Sequence, residues 1–272
     1  MARCRSRCFR KPTLGKERES CSNKRRQGIT EVALVGGVAS NFYPAWSITD
    51  MPYLWNNGAH LQSFMNSDIA KKWSADMADK LGVELLAFLE RNPRILVTRD
   101  KPIGSVADLK GMKIRVPNIK VYTDAWRVFG VEPVPMPASD FYMGLRLGTI
   151  DGMENPVEVM YHWKAYEVGK NLSLTNHMHS GFFLVASKKF MDSLGDDQRK
   201  IVRDAAIQAQ AALAKANAQG AATLIGKLRD AGMTINEKPD VSGFIAAAKS
   251  VHEKYIPQFG QDAYDLAISL GK

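Results

Sequence analysis

The hydrophobic pattern of the chain alternates between short β-type runs and longer helical stretches. The runs EVALVGG (31–37), VELLAFLE (83–90) and RILVTR (94–99) are compact and apolar, which predicts buried strands. The stretch DIAKKWSADMADKLG (68–82) repeats apolar residues at helical spacing and ends at Gly82, which predicts a helix with a glycine C-cap. Strands that alternate with helices in this way are typical of an α/β protein.

Capping residues predict where later helices begin and end. Ser139 opens the stretch SDFYMGLRLG as its predicted N-cap, and Gly148 closes it. Asn155 precedes a proline and lies three residues before a glutamate, which is the pattern of a capped helix start. The alanine-rich stretch that begins at Asp196 predicts a helical region of about 35 residues, interrupted at Gly220. The runs GFFLVASKK and MTIN predict the strands on either side of it.

The stretch GMKIRVPN (111–118) predicts a strand with one apolar and one cationic face. Because side chains alternate along a strand, Ile114 and Val116 share one face while Lys113 and Arg115 share the other. Arg115 is then either a solvated residue of a half-buried strand or a ligand for an anion. The octapeptide alone favours the solvated interpretation, and the rest of the chain has to decide.

The net charge of +9 is concentrated in the first 26 residues, which contain ten Lys/Arg and two Asp/Glu. The body of the chain is therefore nearly neutral, which argues against a nucleic-acid-binding surface there. The same segment contains all three cysteines, Cys4, Cys8 and Cys21, but no fourth ligand to complete a zinc site. We expect residues 1–26 to form an atypical basic segment without order. No run approaches the ~18 apolar residues of a membrane-spanning helix, and no apolar signal segment follows the basic start.

Enzyme motifs are scarce in the sequence. The body of the chain has no cysteine nucleophile, no Gly-x-Ser-x-Gly elbow, no phosphate-binding loop and no dinucleotide fingerprint. Asp151 and Glu154 are close enough in sequence for an acid–base pair, although carboxylates in turns are usually solvated. His177 and His179 have a spacing that zinc can use, but no third ligand accompanies them, so we interpret them as ordinary polar positions. We predict no metal and no cofactor.

Several longer motifs together carry a family resemblance. They are DLKGMKIRVPN, PVPMPASDFYMGLRLGTIDGMENP, YEVGKNLSLTNH and LVASKKFMDSLGDDQRKIVRDAA, preceded by VALVGG, FYPAW and DMPYLW. In this order they resemble the solute-binding proteins of tripartite ATP-independent periplasmic (TRAP) transporters, the DctP family. The resemblance runs from about residue 27 to the C-terminus, and no single short motif carries it alone.

The resemblance implies an α/β fold of two domains, like that of type II periplasmic binding proteins, with a hinge and an interdomain cleft. It places domain I in residues 27–92 plus 181–220, and domain II in residues 93–180 plus 221–272. Family members begin with a signal peptide and further strands, which the basic segment replaces here. We therefore expect a first domain that is truncated at its N-terminus and a chain without a signal peptide. A shifted reading frame would explain this, and a non-functional family member is one alternative.

The resemblance also implies a ligand site for a carboxylate. The family's clamping arginine falls on Arg115, a second arginine on Arg94, and the polar residue of the DGxENP motif on Asn155. A guanidinium matches a carboxylate with two parallel hydrogen bonds, which agrees with these assignments. Weaker candidates are Phe182, at the start of a strand, and Ser139. The remaining aromatic candidates, Trp46 and Trp55, are expected in the core or the cleft wall.

The implied function is that of a periplasmic receptor that captures a small organic acid and delivers it to the membrane subunits of a TRAP transporter. We expect a monomer that catalyses no reaction and binds no nucleic acid. Two alternatives remain: an enzyme that acts on a small acid through Asp151 and Glu154, and a nucleic-acid or membrane-surface module that uses the basic N-terminus.

Overall fold

The computed structural model describes residues 31–272 of the chain. The predictions for the basic segment 1–26, the truncated first domain and the signal peptide lie outside the described residues. Within residues 31–272, no helix combines the length and the hydropathy that crossing a membrane requires.

Residues 31–272 form nine strands and nine α-helices, joined by short 3-10 turns. The strands are β1 (Val32–Val35), β2 (Val83–Glu90), β3 (Arg94–Thr98), β4 (Lys113–Val116), β5 (Glu132–Pro135), β6 (Gly152–Pro156), β7 (Asn171–Met178), β8 (Gly181–Ser187) and β9 (Thr234–Asn236). The helices are α1 (Gly58–Met65), α2 (Asp68–Leu81), α3 (Lys120–Val128), α4 (Phe141–Leu147), α5 (Val157–His162), α6 (Lys188–Asp192), α7 (Asp196–Asp230), α8 (Ser242–Phe259) and α9 (Gln261–Leu270).

The strands are arranged in two separate sheets. The smaller sheet has the order β1-β8-β2, and both of its pairings are antiparallel. The larger sheet has the order β5-β4-β6-β3-β7-β9 and mixes parallel with antiparallel pairings. β5 contains Pro133 and Pro135 and lies at the edge of its sheet, where missing N–H donors are tolerated.

The chain crosses between the two sheets at two adjacent segments. Residues 91–93 connect β2 to β3, and residues 179–180 connect β7 to β8. The two crossings are hydrogen-bonded to each other, since the backbone N–H of Arg91 donates to the carbonyl of Ser180 at 3.0 Å. Residues 91–93 and 179–180 therefore lie side by side where the two sheets meet.

Two helix ends predicted from the sequence are wrong in detail. Ser139 does not cap α4, because a 3-10 turn (Ala138–Asp140) precedes that helix and the hydroxyl of Ser139 donates to the carboxylate of Asp140 at 2.7 Å. Asn155 does not cap α5, because it is a residue of β6 paired with Ile95, and Pro156 occupies the N-cap position. In both cases neighbouring backbone structure displaces the start of the helix by one residue or more.

The long helix α7 is unbroken, so the predicted interruption at Gly220 is wrong. Its N-terminal part contacts the smaller sheet, where Arg203 forms an ion pair with Glu84 at 2.7 Å. Its C-terminal part packs against the core of the larger sheet through Leu224 and Leu228. Contacts at both ends keep the helix continuous, because the cost of one interior glycine is only about 1 kcal/mol.

Gly82 and Gly220 should respond in opposite directions to replacement by alanine. Gly82 ends α2 with a left-handed backbone (φ +65°), which a Cβ disfavours, so Gly82→Ala should lower the free energy of unfolding by about 1 kcal/mol. Gly220 is helical and has no neighbour within 4 Å of a Cβ, so Gly220→Ala should raise it by roughly 0.5–1 kcal/mol. Urea denaturation of the two variants measures both changes, and a destabilised Gly220→Ala variant would indicate a bend in α7.

Candidate functional site

A cavity of about 420 Å³ lies at the crossings between the two sheets. Its wall is built from both crossings and from the segments that follow β1, β4 and β5. About half of the side chains in this wall are small or aliphatic, and the others are basic, amide or aromatic: Arg91, Arg94, Arg115, Asn118, Asn155, Tyr122, Trp163 and Phe182. No carboxylate side chain of the described residues lines it. The composition therefore suits an anion that also has apolar or neutral polar parts.

Arg115 is held in the cavity wall by its strand and by one carbonyl group. β4 pairs in parallel with both β5 and β6, so Arg115 lies on an interior strand of the sheet, and it is only 4% exposed. Its Nε and Nη2 donate to the carbonyl oxygen of Met136 at 3.0 and 2.7 Å. Burial lowers the pKa of Arg115 to about 10, because the charged form is poorly solvated there. The side chain remains a cation at neutral pH and has further N–H donors for an anion.

Arg94, at the start of β3, is neutralised within the protein by Glu154 of β6. Its Nε donates to Oε2 of Glu154, and its Nη2 donates to Oε1 at 2.7 Å and to the backbone carbonyl of Glu154 at 3.1 Å. Both side chains are buried. Burial by itself raises the pKa of Glu154, but the charge of Arg94 and the hydrogen bond from His177 outweigh it and hold the pKa at about 2. The pair is therefore ionised and geometrically fixed.

His177 supports the same carboxylate from β7. Its Nε2 lies 3.3 Å from Oε2 of Glu154, and its Nδ1 lies 2.8 Å from the hydroxyl oxygen of Thr175. Burial lowers the pKa of His177, although the charge of Glu154 acts in the opposite direction. A neutral ring that donates through Nε2 and accepts the hydroxyl proton at Nδ1 satisfies both contacts. No group of three or more possible metal ligands occurs in the described part of the chain.

A comparison with models of protein families shows which family this chain belongs to. The model of the bacterial extracellular solute-binding proteins, family 7, matches residues 2–258. The chain belongs to this family. The resemblance to the DctP-type solute-binding proteins of TRAP transporters is thereby confirmed.

Relatives of this solute-binding protein include receptors with named ligands. A solute-binding protein of Roseobacter denitrificans is 32% identical over 241 residues, which cover 89% of this chain and 73% of the relative. A TRAP periplasmic solute-binding protein structure from that species, with bound L-galactonate, has a TM-score of 0.83 and is 29% identical, covering 93% and 83% of the two chains. The 2,3-diketo-L-gulonate-binding periplasmic protein YiaO of Escherichia coli is 30% identical over 94% of this chain and 78% of its own.

A second solved structure confirms the predicted α/β fold class. A TRAP periplasmic solute-binding protein from Polaromonas, bound to D-erythronate, has a TM-score of 0.86 and is 29% identical, covering 91% of this chain and 82% of the other. The α/β architecture with two sheets is therefore that of the TRAP solute-binding proteins.

The solute-binding protein brings four of its five predicted site residues to the cavity. Arg115, Arg94, Asn155 and Phe182 line it, and Asn155 is only 5% exposed. Ser139 does not line it and is exposed at the surface, where its hydroxyl binds its neighbour. The expected positions of the two tryptophans are confirmed, because both are buried in the core. That these residues bind a ligand remains a prediction.

The carboxylates of the enzyme alternative do not form a pair. The carboxylate of Asp151 accepts the backbone N–H of Lys113 at 2.7 Å, whereas Glu154 is engaged by Arg94. Neither residue lines the cavity. Glu154 lies beside His177, but both are fully buried and serve the arginine. The arrangement therefore holds Arg94 in place and offers no acid–base pair of Asp151 and Glu154 facing the cavity.

Besides Asn118, which ends the stretch GMKIRVPN, three cavity residues with basic or aromatic side chains were missed by the sequence analysis. Arg91 stacks on Phe182, with its guanidinium carbon 4.6 Å from the ring centroid, and its Nε lies 3.8 Å from Glu158. Tyr122 lies under Arg94, and Trp163 follows α5. The spacing of Arg91 and Arg94 by three residues, with a proline between them, was a signal for the first of these. The other two residues have no local signal, because only the fold brings them to the cavity.

Proposed function

We propose that this protein is an extracytoplasmic receptor that binds a small sugar acid in the cavity and delivers it to the membrane subunits of a TRAP transporter. The acid's carboxylate is bound by Arg115 together with Arg94, and Asn155 supplies an amide contact. The protein acts by binding and release, without covalent chemistry. The family membership and the geometry of the arginines support this proposal.

The observation that carries the proposal is a buried cation without an acidic partner. Arg94 has Glu154, but Arg115 has only the carbonyl of Met136 and forms no salt bridge within residues 31–272. A buried, unpaired charge is costly, so it is retained where a ligand completes the pair. A carboxylate that binds Arg115 would supply the missing negative charge, and its hydrogen bonds would be charge-assisted.

The lining of the cavity supports a ligand that is acidic at one end and neutral at the other. Three arginines and no carboxylate face the cavity among the described residues, which disfavours a ligand with an ammonium group. Asn118 and the backbone of Gly36 and Gly37 provide neutral polar contacts for hydroxyl groups. Sugar acids have this division, and L-galactonate, D-erythronate and 2,3-diketo-L-gulonate are the ligands named for three relatives.

We also propose that the two sheets belong to two lobes that close on the ligand. The divisions of the chain at residues 92–93 and 180–181 coincide with the two crossings, which supports two of the domain boundaries predicted from the sequence. The third predicted boundary, at residues 220–221, falls within α7. Closure about these crossings would bury the bound acid and strengthen its contact with the arginines. The closed monomer would then be the form that the membrane subunits recognise.

A ligand screen tests the proposal directly. The purified chain is heated with a panel of uronates, aldonates, keto acids and dicarboxylates, and the acids that raise the melting temperature are titrated by calorimetry. We expect D-galacturonate or a related sugar acid to bind, and D-galactose, which has the same ring hydroxyls but a CH2OH group in place of the carboxylate, not to bind. Recovery of the bound acid unchanged after incubation is expected of a receptor. A well-folded protein that ignores every acid, or that binds galactose equally well, would disprove the proposal.

A further inference from the structure

A buried carboxylate that the binding scheme does not use lies behind the wall of the cavity. Asp50 ends the 3-10 segment Pro44–Asp50 and is only 1% exposed. Its Oδ1 accepts a hydrogen bond from the hydroxyl of Tyr122 at 2.8 Å. Its Oδ2 is buried and finds no hydrogen-bond partner within the described part of the chain. A buried carboxylate oxygen without a donor is an unusual arrangement in a folded protein.

Asp50 is connected to the anion site on two sides. Tyr122, which Asp50 fixes through its hydroxyl, lines the cavity, and the guanidinium carbon of Arg94 lies 4.9 Å from the centroid of its ring. Gly37 also lines the cavity, and a Cβ on Gly37 would lie only 2.5 Å from Oδ2 of Asp50. The unpartnered oxygen therefore lies directly behind a glycine of the wall, close to where an anion would bind.

Charged groups of both signs face Asp50. Arg94 of β3 and Arg91 of the first crossing favour its ionised form, whereas Glu154 of β6 opposes it. Burial is the largest influence, and it raises the pKa of Asp50 to about 6 despite the hydrogen bond from Tyr122. The pKa of Glu154 is held at about 2 and that of Tyr122 is raised well above its usual value, so neither changes charge near neutral pH.

We propose that ligand capture is coupled to protonation through Asp50: when a carboxylate binds the arginines, Asp50 takes up a proton from solvent on Oδ2. This inference rests on the proposed function, because it requires an anionic ligand in the cavity. The bound anion adds a negative charge close to Asp50 and disfavours its ionised form. A proton on Oδ2 leaves Oδ1 as an acceptor for Tyr122, so the ring under Arg94 keeps its position.

The direction of the pH dependence follows from linkage. The anion raises the pKa of Asp50 in the complex above its value in the free protein. Binding is therefore weakest above the pKa of the complex, strengthens as the pH falls, and becomes constant below the pKa of the free protein. A rise in pKa on the order of one unit corresponds to roughly tenfold tighter binding at pH 5.5 than at pH 8.

Calorimetry in buffers with different heats of ionisation counts the protons directly. The probe is the tightest-binding sugar acid of the panel, for example D-galacturonate, titrated at several pH values between 5.5 and 8. We expect net proton uptake with a maximum near pH 6 to 7, and a dissociation constant that decreases as the pH falls. Binding of the acid without proton uptake overturns this inference alone. Failure of every acid to bind overturns the proposed function as well.

Three variants identify the group that takes up the proton. Asp50→Asn should abolish the uptake and flatten the pH dependence. Tyr122→Phe removes the hydroxyl donor but keeps the ring, so the pKa of Asp50 should rise and the uptake should move to higher pH. Asp124→Asn is the matched control, because Asp124 is a buried carboxylate that accepts a tyrosine hydroxyl, that of Tyr255 at 2.8 Å, away from the cavity.

Each result for the variants decides the assignment. Proton uptake that is unchanged in Asp50→Asn, or at an unchanged pH in Tyr122→Phe, assigns the proton to another group and overturns the proposal. Loss of uptake in Asp124→Asn would also overturn it, because Asp124 does not line the cavity. If Asp50→Asn does not fold, the shift expected of Tyr122→Phe decides the question on its own.

Discussion

Replacement of Arg115 by methionine is expected to weaken binding of the sugar acid by at least about a hundredfold while leaving the unliganded protein as stable as before. Two charge-assisted hydrogen bonds to a carboxylate contribute about 1.5–3 kcal/mol each, and the variant loses both. Methionine retains the apolar stem of the side chain. The carbonyl of Met136 loses its donor, but it lies in the cavity wall, where water can replace the donor.

The stability of this variant separates binding from folding. Arg115 is a buried cation without a carboxylate partner, so its removal eliminates a solvation cost together with the hydrogen bonds. Lys113→Met is the matched control, because Lys113 points from the same face of β4 but is exposed. We expect calorimetry to show wild-type affinity for Lys113→Met. If Arg115→Met bound the acid as tightly as the wild type, the carboxylate would have to lie elsewhere.

Replacement of Arg94 by methionine, unlike that of Arg115, should strongly destabilise the unliganded protein. We expect a loss of about 3–5 kcal/mol in the free energy of unfolding at pH 7. The variant leaves the carboxylate of Glu154 fully buried with only His177 beside it. Burial would then raise the pKa of Glu154, which the charge of Arg94 now holds at about 2. The two arginines are thus expected to differ in role although both line the cavity.

The pH dependence provides a second test of the Arg94 prediction. In the wild type the pKa of Glu154 is below its unfolded value, so the pair stabilises the protein above pH ~4.3 and less as the pH falls toward 2. In Arg94→Met the carboxylate can be protonated, so its deficit in stability should shrink between pH 7 and pH 5. Urea denaturation of the wild type and of Arg94→Met at pH 7 and at pH 5 measures this change. The double variant Arg94→Met with Glu154→Gln should recover much of the loss, and strictly additive effects would argue against the pair.

Local patterns in the sequence predicted elements well and burial less well. The alternation along β4 placed Lys113 and Arg115 on one face of the strand, and the structure agrees. Lys113 is nevertheless exposed to solvent, whereas Arg115 is buried with only 4% of its surface exposed. The difference arises because Arg115 is covered by Met136, a residue 21 positions later in the chain. Only the parallel pairing of β4 with β5 brings that carbonyl to the guanidinium, so the octapeptide could not distinguish the two interpretations.

The support behind the site could not be predicted for the same reason. Arg94, Glu154 and His177 come from three strands, and their contact depends on the order β6-β3-β7 in the larger sheet. The sequence offered Glu154 only as a partner for Asp151, which precedes β6 and accepts the backbone N–H of Lys113 instead. Family resemblance supplied the arginines, and the fold supplied the residues that hold them.

The continuous helix α7 restricts how the two lobes can move. At 1.5 Å per residue, its 35 residues form a helix about 50 Å long. This helix contacts the smaller sheet near its N-terminus and the core of the larger sheet near its C-terminus. A continuous helix that is held at both ends opposes sliding of one lobe past the other, so the lobes can move mainly by rotating relative to each other as the helix bends. Its softest points are Gly220 and Gly226, where no atom lies within 4 Å of a Cβ position. Opening and closing of the cleft should therefore be a single swinging motion whose stiffness is set by this helix.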